Sequence, residues 1–181
     1  SILDACASEG LAMEGGRVHT CILCSAFVSD IVLGTAIVHM YGACKASQGD
    51  ARIAFDQMPE RNLFSWNTII AMYTHCGEGI EAFFMYKRMQ CESILPNHVT
   101  FVTVISACAD LALNTLLHGK CIHCLIISAG SSADVVIATS LLHMYGKHGC
   151  LKEAYKLFEC VMMPNLISWN AIMAAYAHNG H

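Results

Sequence analysis

Two stretches decide how this chain folds: "SWNTIIAMYTHCG", Ser65 to Gly77, and "SWNAIMAAYAHNG", Ser168 to Gly180. Eight of the 13 positions are identical, Trp66/Trp169, Asn67/Asn170 and Gly77/Gly180 among them, at a constant offset of 103 residues. Working outward, "TAIVHMYGACK" from Thr35 returns as "TSLLHMYGKHG" from Thr139, "LDACA" from Leu3 as "ISACA" from Ile105, and "ARIAFDQMPERN" from Ala51 as "AYKLFECVMMPN" from Ala154. Offsets of 102 to 104 are too long for one helical-repeat unit and fit three units of 31 to 37 residues. Aligned on the early residue of each unit, Thr35, Asn67, Val102, Thr139 and Asn170 are spaced by 32, 35, 37 and 31, a long and short alternation that restarts every third unit.

Each unit reads as two helices. Between Leu63 and Asn97, Trp66, Ile69, Ile70 and Tyr73 recur at helical spacing, Cys76-Gly77 supplies a stop, "EGIEAFFMYKRMQCE" supplies an amphipathic second helix, and Pro96-Asn97 turns the chain back. The pattern predicts an all-α, right-handed α-solenoid (superhelix) of antiparallel helix-turn-helix repeats with no strands. One extra residue in "KASQGD", Lys45 to Asp50, predicts an irregular turn there. The chain starts inside a helix and stops just after a first helix, so it is expected to be a slice of a longer protein, without a leader of its own.

Composition fits a two-layer helical array, whose helices are covered on more than one face. Hydrophobic residues make up 55% and charged residues 13%, and mean hydropathy is +0.48. No transmembrane helix is expected, because Pro164, Asn165 and Asn170 break the longest uncharged stretch, Cys160 to His181, well short of about 20 continuous apolar residues.

Eleven cysteines and ten histidines raise the question of a metal. "CILC" (Cys21, Cys24) and "CIHC" (Cys121, Cys124) look like two halves of a zinc site, which needs four ligands on one ion. They fall on second helices three units apart, and with helices spaced by roughly 8 to 10 Å they cannot meet. His39/His143, His19/His123 and His75/His178 recur in register and mark the repeat. No metal or other cofactor is expected, and the odd cysteine count argues for a reducing compartment.

"NLFSWNTII", "DARIAFDQMP", "SLLHMYGKHG" and "VISACA" resemble the pentatricopeptide repeats of the plant-type class that alternates standard (P), long (L) and short (S) motifs. The resemblance covers the whole chain and implies the order partial L (1–30), S (31–62), P (63–97), L (98–134), S (135–165) and partial P (166–181). The tetratricopeptide repeat, a protein-binding helix pair and the alternative scaffold reading, has a W-x2-L-G-x2-Y signature absent here and a constant 34-residue period.

The resemblance implies sequence-specific binding of single-stranded RNA, one base per repeat, read by the fifth and last residues of each unit. The pairs are Thr35/Asn62, Asn67/Asn97 and Thr139/Asn165, with Asn170 lacking its partner and Val102/Asp134 a weaker reader. By the family's code they read A, then C or U, then any base, then A. At the second position Val32, Phe64, Val99, Val136 and Ile167 are implied to stack on bases. Residue chemistry alone leaves other roles open: Thr35, Thr139, Asn67 and Asn170 as helix caps or early-turn residues, Asn62, Asn97 and Asn165 as turn residues, and the second-position residues as core.

The implied role is direction of organellar RNA editing or processing, in mitochondrion or chloroplast. A His-x-Glu motif, which a zinc deaminase needs, is absent. The chain is therefore expected not to be an enzyme, with chemistry supplied by an editing-factor or deaminase protein, no small-molecule substrate and no membrane partner. Ten Lys and Arg against fourteen Asp and Glu give a net charge of −4, so counterion release contributes little and RNA binding is expected to be weak.

Overall fold

A computed structural model describes residues 1–25, 27, 29–44, 48–109, 116–130, 134–161 and 164–180. Among these, eleven α-helices form and no strand: α1 (Ile2–Glu9), α2 (Ala12–Leu23), α3 (Ile31–Ala43), α4 (Gln48–Gln57), α5 (Leu63–His75), α6 (Gly79–Cys91), α7 (His98–Ala109), α8 (Leu116–Ser128), α9 (Val135–Lys147), α10 (Leu151–Cys160) and α11 (Leu166–His178). The irregular turn expected near Lys45 falls on Lys45, Ala46 and Ser47, which lie outside the described residues. No described helix is long and apolar enough to cross a membrane.

The chain divides into two compact units, Ser1–Leu95 and Pro96–His181. Within the first, α1, α3 and α5 pack one on the next, while α2, α4 and α6 each pack on the helix before them. The second unit repeats the plan, with α7 on α9, α9 on α11, and α8 and α10 against α7 and α9. Each pair leaves an apolar face that only its neighbour covers, which is how helical repeats acquire a continuous core.

The elements stop where the sequence says they should. Gly77 and Gly180 sit at φ of 78° and 81°, a left-handed conformation that glycine adopts without steric cost. Past Gly77, the Glu78 N–H donates back to the Tyr73 carbonyl at 2.9 Å and closes α5. Pro59, Pro96 and Pro164 all lie in connections, where a missing N–H costs nothing.

Trp66 anchors the core of the first unit, fully buried with Phe55, Ile69, Ile70, Tyr86 and Met89. It meets Phe55 edge-on at 4.7 Å between centroids, and Arg88 lies 5.6 Å over its ring. In the second unit Trp169 meets Phe158 in the same way, also at 4.7 Å, yet is 51% exposed. The histidines repeat just as closely: His19 Nδ1 lies 3.3 Å from the Tyr41 hydroxyl and His123 Nδ1 3.0 Å from that of Tyr145. Burial lowers the pKa of both imidazoles, so they pack as neutral partners of tyrosine.

Candidate nucleic-acid interface

The first helices α3, α5, α7, α9 and α11 begin alike. The residue before each is an N-cap: Asp30, Asn62, Asn97, Asp134 and Asn165. A capping oxygen accepts orphan amide hydrogens of the first turn. Asn62 Oδ1 accepts from Ser65 N at 3.0 Å, Asn97 Oδ1 from Thr100 N at 3.0 Å and Asn165 Oδ1 from Ser168 N at 2.9 Å. The two aspartates act differently, each taking two amides on one oxygen. Asp30 Oδ1 accepts from Val32 and Leu33, and Asp134 Oδ1 from Val136 and Ile137, at 2.8 to 3.2 Å. The last-position residues thus do more than turn the chain.

The fifth-position residues are not caps. Thr35 and Thr139 lie a turn inside their helices and donate to the carbonyls of Ile31 and Val135, both at 2.7 Å. Thr35 is only 4% exposed, while Thr139, Asn67 and Val102 are half-buried and Asn170 is exposed. Second and fifth residues are three apart on a helix and so share one face.

At the second position Val32, Phe64, Val99, Val136 and Ile167 are all exposed, by 52 to 77%. The alternative that they are core is thereby removed. Five apolar side chains stand in water at the same place in five helices, each beside a fifth-position residue.

Of the reader pairs, the structure links Thr139 to Asn165. Thr139 Oγ1 lies 3.2 Å from Ser168 Oγ, and Ser168 Oγ donates to Asn165 Oδ1 at 3.2 Å. Asp134 is engaged by a residue that sequence reasoning did not single out: His98 Nδ1 lies 2.8 Å from its Oδ2. Burial pushes the Asp134 pKa up, but bonds from the Ile137 N–H, the His98 ring and the Val136 N–H outweigh it and hold the carboxyl below its ordinary range.

Three of the four arginines pair with carboxylates of the protein itself. Asp56 pairs with Arg52 at 2.8 Å and with Arg88, and Glu92 pairs with Arg88 at 3.3 Å and Arg61 at 3.5 Å. Desolvation raises the Asp56 pKa, but Arg88 and Arg52 bring it below the usual carboxylate range. Among the described residues no three or more His, Cys, Asp or Glu side chains gather so as to hold a metal ion. Burial pushes the Cys108 thiol up to about 12, so it stays protonated and packs as a small apolar group.

Residues 61–110 match the PPR (pentatricopeptide) repeat family, and residues 136–162 match the PPR repeat. A mitochondrial pentatricopeptide repeat-containing protein of Arabidopsis thaliana is 36% identical over 180 residues, 99% of this chain and 23% of that protein. The chain belongs to the pentatricopeptide repeat family. A chloroplastic Arabidopsis member is likewise 36% identical, over 98% of this repeat chain and 22% of its own length. The chain therefore spans less than a quarter of the length of these two relatives. The crystal structure of the pentatricopeptide repeat protein PPR10 from maize superposes with a TM-score of 0.75 at 19% identity, covering 96% of this chain and 25% of that one. PPR10 in complex with an 18-nt psaJ RNA element superposes at 0.63, with 15% identity over 99% of this chain and 34% of PPR10. The helix pairs of this pentatricopeptide repeat chain thus form the α-solenoid fold.

Proposed function

We propose that the chain binds single-stranded RNA at the N-terminal turns of its first helices, one base per repeat, and so directs an organellar RNA editing or processing activity to a transcript. The observation that carries this reading is the exposed apolar residue that recurs at the second position of five first helices, each on the same helix face as a fifth-position residue. An apolar side chain held in water is unfavourable unless something flat covers it, and a nucleobase does so without regard to sequence. The polar residues beside it then supply choice. The RNA held by PPR10 supports the ligand class, and the mitochondrial and chloroplastic relatives support an organelle.

In this reading the units follow the P, L and S alternation with the boundaries given above. Thr35/Asn62 and Thr139/Asn165 take adenine, Asn67/Asn97 takes C before U, Val102/Asp134 accepts any base, and Asn170 takes a further pyrimidine. The chain itself is catalytically inert, and a deaminase or other editing factor brings the chemistry. The test is Asn67→Thr, which makes that pair identical to Thr35/Asn62. Preference at the one facing RNA position shifts toward A by about 1 kcal/mol, with neighbouring positions unchanged. Equal weakening for all four bases overturns the code, and failure to select any RNA points to a protein-binding scaffold.

A further inference from the structure

Helix α7 reverses a pattern that the other four first helices share. At the first position of α3, α5, α9 and α11 stand Ile31, Leu63, Val135 and Leu166, all apolar. At the fifth stand Thr35, Asn67, Thr139 and Asn170, all polar. In α7 the first residue is His98 and the fifth is Val102, so the polar group has moved back by one helical turn. Residues four apart are neighbours on a helix, and His98 therefore borders Val102 on the face that carries the fifth position.

His98 also reaches the other member of the pair. Val102 has no polar atom, and both oxygens of Asp134 are already engaged, Oδ1 by the Val136 and Ile137 amides and Oδ2 by His98 Nδ1 at 2.8 Å. That carboxyl is held below its ordinary range, and a carboxylate only accepts, so the hydrogen in the contact belongs to the ring. In an imidazole with one hydrogen, placing it on Nδ1 leaves Nε2 a bare acceptor. The His98 side chain is 44% exposed, and among the described residues its Nε2 has no partner. Only in this unit does a polar side chain stand between the fifth and last positions while the fifth residue itself is apolar.

We propose that His98 is the specificity-determining residue of the unit that begins at α7, a hydrogen-bond acceptor that selects against uracil. The proposal rests on the base-reading assignment above: the pair Val102/Asp134 by itself accepts any base, and the imidazole beside it supplies the choice. Adenine, cytosine and guanine each carry an amino group, whose hydrogens are open to an acceptor. Uracil has none. Its N3–H lies between two carbonyl oxygens, whose lone pairs face that of Nε2.

The experiment titrates the full chain at pH 8, where an imidazole holds one hydrogen, with four labelled RNAs that differ only in the base facing this unit. It reads the Kd for the uracil RNA over the mean of the other three. That ratio is expected to be about 3- to 10-fold, the worth of one net hydrogen bond, and His98→Leu, which gives α7 the first residue of α5, brings it to about one. Asp134→Asn is the second arm. As in the asparagine caps, the amide oxygen faces the backbone N–H groups, so Nδ2 replaces Oδ2 and donates to His98 Nδ1. The ring hydrogen then sits on Nε2, and the bias against uracil is lost or reversed. A His98 that only braced α7 against α9 would change the affinity for all four RNAs alike and leave the ratio as it was. An unchanged ratio in either variant, or no bias against uracil in the unaltered chain, overturns the role of His98. The base-reading assignment survives that result where Asn67→Ala flattens the preference at its own RNA position. If Asn67→Ala and His98→Leu both leave every preference unmoved, or none of the RNAs binds, the assignment itself is overturned.

Discussion

Phe64→Ala separates binding from folding more cleanly than any other change. Phe64 is 72% exposed at the second position of α5, so folding removes little of it from water. Full burial of a phenylalanine side chain is worth about 1.5 to 3 kcal/mol, and the 28% complement of its exposure scales that to about 0.4 to 0.8 kcal/mol. Alanine recovers about 0.5 kcal/mol in helix propensity, leaving a net change within about 0.5 kcal/mol. Stacking on a base is worth about 1 to 3 kcal/mol, or roughly 5- to 150-fold in Kd. The assay is urea unfolding followed by circular dichroism, alongside anisotropy titration with an RNA carrying the expected A-C-any-A core. The expected result is an unchanged urea midpoint and a Kd weakened at least 5-fold, with base preference intact. A large fall in the midpoint would show that Phe64 is core, and an unchanged Kd would refute its role in stacking.

A Cβ on Gly146 would sit 2.5 Å from the Ala175 Cβ and 3.1 Å from its Cα, where no rotamer relieves the clash. Gly146→Ala is therefore expected to lower stability by about 1 kcal/mol or more despite alanine's better helix propensity, while Gly49→Ala, with nothing within 4 Å, raises it slightly; urea midpoints decide both. Asp56 and Asp134 have folded pKa values below the unfolded one, so the stability they contribute is complete above about pH 4 and is lost as pH falls through their folded values. Asp56→Asn should flatten that acid limb of a Tm against pH series, by a modest amount because the carboxylate is partly exposed. Chelation with EDTA should leave Tm unchanged, and a stoichiometric metal that survives gel filtration would contradict this.

The helices were legible in the sequence because all but α6 are announced twice, once by their apolar spacing and again by a copy about 103 residues away. The caps were harder. Thr35 and Asn62 are both short polar residues near a helix start, and only the backbone reveals that the asparagine closes the turn while the threonine bonds back along the helix. The exposure of Val32 and Phe64 was equally ambiguous, since an apolar residue at the second position faces core or water depending on how neighbouring helices pack. The buried hydroxyls of Ser65, Thr100 and Ser168 had a signal, an Asn-x-x-Ser/Thr spacing repeated three times. Contacts such as His98 with Asp134, or Arg88 with Asp56, join residues more than 30 positions apart and left no periodic trace.

The unequal surroundings of the two tryptophans make the chain its own optical probe. Trp66 belongs to the first unit and is sealed from water; Trp169 belongs to the second and is half exposed, each against a phenylalanine in the same edge-on arrangement. Under 295 nm light the first should emit at short wavelength and resist iodide, while the second emits to the red and is quenched. A single sample, without labels or added residues, then reports on its two halves in two colours, and a denaturant series that bleaches one component before the other would reveal which half opens first.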